Sequence, residues 1–232
     1  MFPLLLTQAT VRRRGKSLLG PVDLTLEGSG VTTVIGPNGA GKSTLLRVMH
    51  GIERLSSGSA HWAIADHDAQ AQQAFVFQSP VILRRSVREN LRYPLKLQKR
   101  PKAEQDEQIE KWALQADLTQ HLDLPANRLS GGERQKLALA RALISSPKVL
   151  FLDEPCANLD GYATREIEAL LQRSAAEGTT IILATHDMGQ ARRLSDYTVF
   201  LLAGACIEHG TDCLANPQTE TLRAFLRGDI IT

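Results

Sequence analysis

Gly36-Pro37-Asn38-Gly39-Ala40-Gly41-Lys42-Ser43-Thr44 is the stretch whose reading decides the fold. It follows an apolar, β-branched run (Val31, Val34, Ile35) and opens a segment with helical spacing (Leu45, Leu46, Val48, Met49) that Gly51 can stop. Strand, glycine loop and helix in that order make a phosphate cradle. The spacing G-x-x-x-x-G-K-[ST] lets backbone N–H groups wrap phosphates, brings Lys42 to the terminal ones and offers the Ser43 hydroxyl to magnesium. Glycine is required because the loop turns tightly and the main chain must approach an anion, to which the helix N-terminus adds a favourable dipole.

Working outward, the 232 residues give room for one large domain or a domain with a substantial insertion. A formal net charge of +2 gives no whole-surface affinity for nucleic acid. Three cysteines, Cys156, Cys206 and Cys213, contain no C-x-x-C pair, which argues against a disulfide framework or a zinc site and fits a reducing compartment. Met1 to Gln8 has no basic region and too short an apolar run for a signal peptide, and no later segment approaches bilayer-spanning length. A soluble chain is expected, with any membrane role reached through partners.

Before the cradle, Leu4 to Val11, Val22 to Leu26 and Val31 to Ile35 read as strands separated by glycine turns, the first of them an edge sheet. Arg12-Arg13-Arg14 falls in the first turn, either as a solvated basic cluster or with one guanidinium stacked on a nucleotide base. After Gly51 a short strand near His61 to Ala63 and a polar stretch lead to a buried strand, Phe75 to Phe77, with Gln78 at its carboxyl end. Residues 84 to 128 read as a mostly helical insertion broken at Pro101. Its basic run from Arg84 to Lys102 is opposed by Glu89 alone before Glu104, Asp106, Glu107 and Glu110 reverse the sign. That run is either a solvated helix face or a contact with an anionic membrane or a membrane partner.

Ser130 and Glu133 form an S-x-x-E capping box ahead of a helix from Lys136 to Ile144. Gly131 and Gly132 between them are poor helix formers that capping leaves unexplained, and bare backbone at a helix N-terminus suits a second anion site. Lys148 to Asp153 reads as a central parallel strand ending in Asp153 and Glu154, at the edge where open α/β sheets bind ligands. Asp153 suits magnesium and Glu154 an attacking water. A helix from Tyr162 to Glu177 and a strand from Thr180 to Thr185 then deliver His186 to the same edge. The strand Val199 to Leu202, a hairpin through Gly204 and a helix after Asn216-Pro217 close the chain.

With these pieces in this order, the sequence resembles the ATP-binding cassette (ABC) ATPases over essentially its whole length. The matching motifs are the Walker A loop Gly36 to Thr44, the Q-loop Gln78, the signature Leu129 to Gln135, Walker B ending at Asp153 and the following Glu154. The D-loop Asn158-Leu159-Asp160 and the switch His186 complete the set. The resemblance implies a P-loop α/β fold with a mostly parallel central sheet, an N-terminal antiparallel edge sheet and an inserted helical subdomain. Its single nucleotide-binding domain would divide into a core of 1–83 and 129–232 and a helical part of 84–128. It further implies ATP and Mg2+ as ligands. Lys42 and the loop amides would hold phosphates, Ser43, Gln78 and Asp153 would organise magnesium, Glu154 would polarise water, and His186 would support the γ-phosphate. The partners implied are transmembrane permease subunits and a second ATPase protomer, a homodimer whose Ser130, Gly131 and Gly132 face the other protomer's nucleotide. Peripheral placement at the cytoplasmic face of the membrane follows.

Two departures stand out. Family members commonly place an aromatic residue before the first turn's glycine to stack on adenine, where this chain has Arg13 and Arg14 before Gly15, and Cys156 stands where a small polar residue is usual. Ser79 to Arg92 and Thr185 to Arg193 resemble bacterial oxyanion importers of the tungstate or molybdate type. The alternative is a soluble cassette scaffold such as an iron-sulfur assembly ATPase. A DNA-repair cassette would need a long coiled coil between Gln78 and Ser130, and no heptad run lies there.

Overall fold

The computed structural model describes residues 1–229. In chain order the elements are β1 (Leu4–Arg13), β2 (Lys16–Leu26), β3 (Val31–Ile35), α1 (Lys42–His50), β4 (Ser57–Trp62), α2 (Asp66–Ala71) and β5 (Gln73–Val76). The insertion supplies α3 (Val87–Leu97) and α4 (Lys102–Gln115), and α5 (Gly131–Leu143) follows. Then come β6 (Val149–Asp153), α6 (Gly161–Ala176), β7 (Thr180–Ala184), α7 (Met188–Leu194), β8 (Tyr197–Leu202), β9 (Ala205–Gly210) and α8 (Glu220–Arg227).

Two sheets form. The smaller is antiparallel in the order β2-β1-β4, and the larger runs β5-β6-β7-β3-β8-β9, with parallel neighbours except for antiparallel β9. Every residue of β3, β6 and β7 is buried, which is why their sequences are dominated by apolar and β-branched residues and do not alternate with exposed polar ones. Leu4, Leu6, Leu19, Val22, Leu24 and Leu26 line one face of β1 and β2, placing that face of the small sheet against α1 and one face of the large sheet. The expected α/β architecture is therefore present.

Within the insertion, Pro101 is the N-cap of α4, so the break falls where proline fixes φ. The basic run is different from its linear appearance. Arg88 binds Glu110 at 2.8 Å and Asp123 at 3.2 Å, Arg92 binds Glu89 at 2.7 Å and Asp106 at 2.6 Å, and Arg100 binds Glu104 at 2.6 Å. Arg88 and Arg92 of α3 are thus paired with acids of α3, of α4 and of the segment after α4, which neutralises part of the run. The insertion also shares its apolar core with the sheet: Leu91, Ile109 and Trp112 join Leu137, Leu150 and Leu183 in one cluster. Among the described residues no helix is long and apolar enough to cross a membrane.

Two helices escaped the sequence reading. In α2 only Ala69 is buried, so a six-residue helix leaves no apolar period to detect. In α7, Asp187 is the N-cap, its carboxylate accepting from the Gln190 N–H at 3.0 Å, and the His186-Asp187 pair was read only as a strand end.

Candidate functional site

The site is built on the carboxyl edge of the large sheet, where β3 passes into α1. Gly36 has φ 148°, and a Cβ there would meet the Leu201 carbonyl oxygen at 2.2 Å, so the neighbouring strand β8 enforces glycine. Gly41, at φ 100°, is the N-cap of α1, and no side chain caps that helix. Its first N–H groups therefore remain free to bind an anion, with the helix dipole adding to the attraction.

Lys42 is buried, its ammonium donating to the carbonyls of Gly36 at 2.9 Å and Pro37 at 3.1 Å and lying 3.7 Å from Glu154 Oε1. Burial pushes its pKa down; the carboxylates of Glu154 and Asp153 oppose that without cancelling it. Ser43 Oγ donates to Asp153 Oδ1 at 2.7 Å, bringing the proposed metal-binding hydroxyl on the first turn of α1 and the carboxylate at the end of β6 together. Glu154 Oε2 accepts from Gln78 Nε2 at 3.2 Å and lies 3.2 Å from His186 Nδ1. Three strand ends, β5, β6 and β7, thus converge on one carboxylate.

A cleft of about 780 Å³ opens over these groups, lined by Asn38, Gly39, Gly41, Lys42, Ser43 and Thr44 of the loop and by Gln78, Glu154, Asn158 and His186. The oxygen donors of Ser43, Asp153 and Gln78 suit a hard cation such as Mg2+. Pro37 and Ala40 shape the turn, the Ala40 N–H donating to the Pro37 carbonyl at 3.1 Å.

Other expected residues stand elsewhere. Ser130 and Gly131 are exposed and Gly132 packs toward Ala163; none of them lines the cleft. Ser130 and Glu133 do form the reciprocal capping box. Arg13, offered as a base contact, instead grips both oxygens of Glu53 at 2.8 Å, and Arg14 occupies the turn at φ 49°; neither lines the cleft. Arg13 is drawn aside because Glu53, just beyond α1, accepts two hydrogen bonds from its Nη2 group.

Sequence reasoning overlooked Ser17, Leu18, Ala203 and Gly204, which close the cleft's remaining wall. It also overlooked Arg47, whose Nη2 lies 4.0 Å from Asp153 Oδ2. The signal for Arg47 was available: it is four residues from Ser43 and so shares that helix face.

The chain is similar to known proteins in sequence and in fold. A family model described as ABC transporter matches residues 19–157. The chain is 39% identical over 198 residues to the tungstate uptake system ATP-binding protein TupC of Peptoclostridium acidaminophilum, across 82% of this chain and 90% of that protein. It is 33% identical over 237 residues to the phosphate import ATP-binding protein PstB of Mycoplasmoides gallisepticum, across 94% of this chain and 73% of that one. The structure of CbiO1 from Clostridium perfringens, described as part of the ABC transporter complex CbiONQ, superposes with a TM-score of 0.82 at 28% identity, over 97% of this chain and 94% of that one. The chain belongs to the ABC transporter family, among its ATP-binding subunits.

Proposed function

We propose that this chain binds MgATP in the β3–α1 cleft, hydrolyses it as one half of a two-protomer clamp, and powers oxyanion import through a separate permease. The observation that carries the reading is the convergence of Lys42, Ser43, Gln78, Asp153, Glu154 and His186 on one sheet edge around an uncapped helix N-terminus. Lys42 and the amides of Gly36 to Thr44 hold the phosphates. Ser43, Asp153 and Gln78 hold Mg2+, which when bound offsets charge on the phosphate oxygens. Glu154 orients and polarises the attacking water, and His186, beside it, supports the terminal phosphate. Such a site works by positioning and charge stabilisation, which is what phosphoryl transfer demands.

The exposed Ser130 and Gly131, with Gly132 beside them, complete the cleft of a second copy. Residues 84–128 act as a helical subdomain within one nucleotide-binding domain, and the chain sits peripherally at the cytoplasmic face of the membrane, held by the permease. A tungstate- or molybdate-type cargo is supported by relatives named for tungstate uptake and phosphate import. Co-purification from native membranes tests the reading. Recovery of a multi-span permease is expected; recovery of soluble partners alone would overturn the importer role in favour of an assembly scaffold and leave the ATPase chemistry standing.

A further inference from the structure

Outside the cleft, α6 and α7 share a buried polar cluster that the mechanism above does not use. The chain leaves β7 at Ala184, passes His186 and turns at Asp187 into α7, which buries two apolar side chains, Ala191 and Leu194, and one polar one, Gln190. So small an apolar face is non-directional and does not by itself fix how the helix is rotated on its neighbour. Directional bonds do. Glu168 of α6 is only 5% exposed; its Oε2 accepts from Arg193 Nε at 2.8 Å, and its Oε1 accepts from Arg193 Nη2 at 2.7 Å and from Gln190 Nε2 at 3.4 Å. Two parallel N–H···O bonds from one guanidinium set an angle as well as a distance.

Short lengths of backbone connect this cluster to both groups that meet at the sheet edge. Asp187 caps α7, accepting from the Gln190 N–H at 3.0 Å, and its own N–H donates to Thr185 Oγ1 at 3.0 Å, so His186 sits inside one tight turn. A Cβ on Gly189 would come to 3.0 Å from both Arg193 Nη1 and Asp187 Oδ1, so the absence of a side chain there lets the guanidinium close onto the cap. Toward the other group, burial pushes the Cys156 thiol up to about 11, and the Gln190 amide beside it opposes that rise. Cys156 follows Glu154 closely in the chain, with Pro155 between them. A roll of α7 on α6 would therefore carry His186 Nδ1 away from Glu154 Oε2, which it faces at 3.2 Å. An ion pair is a costly way to join two helices that apolar packing could hold as firmly; what it adds is a defined geometry.

We infer that Glu168 is a positioning residue for hydrolysis, resting on the roles proposed above for Glu154 and His186: through Arg193 and Gln190 it fixes the rotation of α7 and so holds the His186 ring against Glu154. The test uses the full chain with MgATP, well below its melting temperature, and reads steady-state hydrolysis beside equilibrium nucleotide binding and a thermal melt. Glu168→Gln keeps the shape and removes the charge. Arg193→Gln releases the same tether from a half-exposed side chain and serves where the buried change prevents folding. Each is expected to lower kcat about tenfold or more with nucleotide affinity within about 2-fold of native, because misplacing reacting groups is costly even when binding is intact. A kcat within about 2-fold of native, with or without a lower Tm, would make the pair a packing feature and overturn the inference. His186→Ala supplies the second readout. In that background Glu168→Gln is expected to cost less than about 2-fold more, since a residue that acts through another loses its effect once the other is gone. A loss there as large as in the native background would overturn the inference and leave the role of His186 intact. Native hydrolysis by His186→Ala would overturn that role and the inference with it, while normal nucleotide binding by the same chain would leave the phosphate cradle standing.

Discussion

Glu154 holds φ at 49°, a left-handed conformation that costs a residue with a Cβ, and the cost is met by its N–H donating to the Ala184 carbonyl at 3.0 Å. The turn aims its carboxylate back over the cradle, where Lys42, Gln78 and His186 surround it. Replacing charge without changing shape isolates its chemical role. Glu154→Gln is expected to bind nucleotide as the native chain does and to slow hydrolysis by about 10²-fold or more, since proton transfer by a positioned base contributes on that scale. Single-turnover phosphate release beside equilibrium binding checks it, and undiminished hydrolysis would reject the role. At this scale Lys42, Ser43, Asp153 and Glu154 were legible because the spacing that names them is the spacing that places them. Ser17, Leu18, Ala203 and Gly204 were not, because they face the cleft through the packing of β2 on the β8–β9 turn, a contact with no local pattern.

Elements show the same division. The continuous apolar strands, the capping box and the closing amphipathic helix were readable from period and punctuation, but what ties that last helix down was not. The Glu208 carboxylate on β9 accepts from the N–H groups of Gln218 and Thr219, each at 2.8 Å, and from Thr219 Oγ1 at 2.6 Å. Thr219 in turn caps α8, accepting from the Leu222 N–H at 3.2 Å, and Phe225 stacks on Phe200 with ring centroids 5.1 Å apart. Partial burial pushes the Glu208 carboxyl up, yet the donors from Gln218 and Thr219 outweigh it and hold the pKa below the ordinary carboxylate value. A depressed folded pKa stabilises above the unfolded pKa, about 4.3, and that contribution is lost as pH falls through the folded value. Glu208→Gln is therefore expected to cost about 1 kcal/mol at pH 7, discounted for partial exposure, and to lower Tm by about 2–4 °C. Thermal melts from neutral pH to below about pH 4 should show the gap between native and variant closing. A gap of constant size would remove the charge from the account.

The whole molecule poses a question that one chain cannot answer alone. α5 begins with Gly131, exposed, and a Cβ there would meet nothing within 4 Å. No contact within the chain and no left-handed φ requires glycine, and glycine is the costlier choice in a helix by up to about 1 kcal/mol. The capping box from Ser130 and Glu133 already satisfies the local backbone, so the role proposed for the bare surface lies outside the chain. A phosphate held in the cleft of a second copy accounts for it: close backbone approach at a helix N-terminus is what glycine allows and any side chain obstructs. Gly131→Asp separates the two roles by sign. Within the single chain, aspartate in the first turn complements the helix dipole, so stability is expected to hold or rise by about 0.5 kcal/mol. Across the interface the same carboxylate repels a phosphate, so nucleotide-driven association should fail. Sedimentation of the Glu154→Gln chain with MgATP is expected to show dimers, and the Glu154→Gln, Gly131→Asp chain monomers with unchanged nucleotide binding. Dimers in both would show that the glycine face does not receive phosphate, and the reading of α5 as half of a shared site would fall with it.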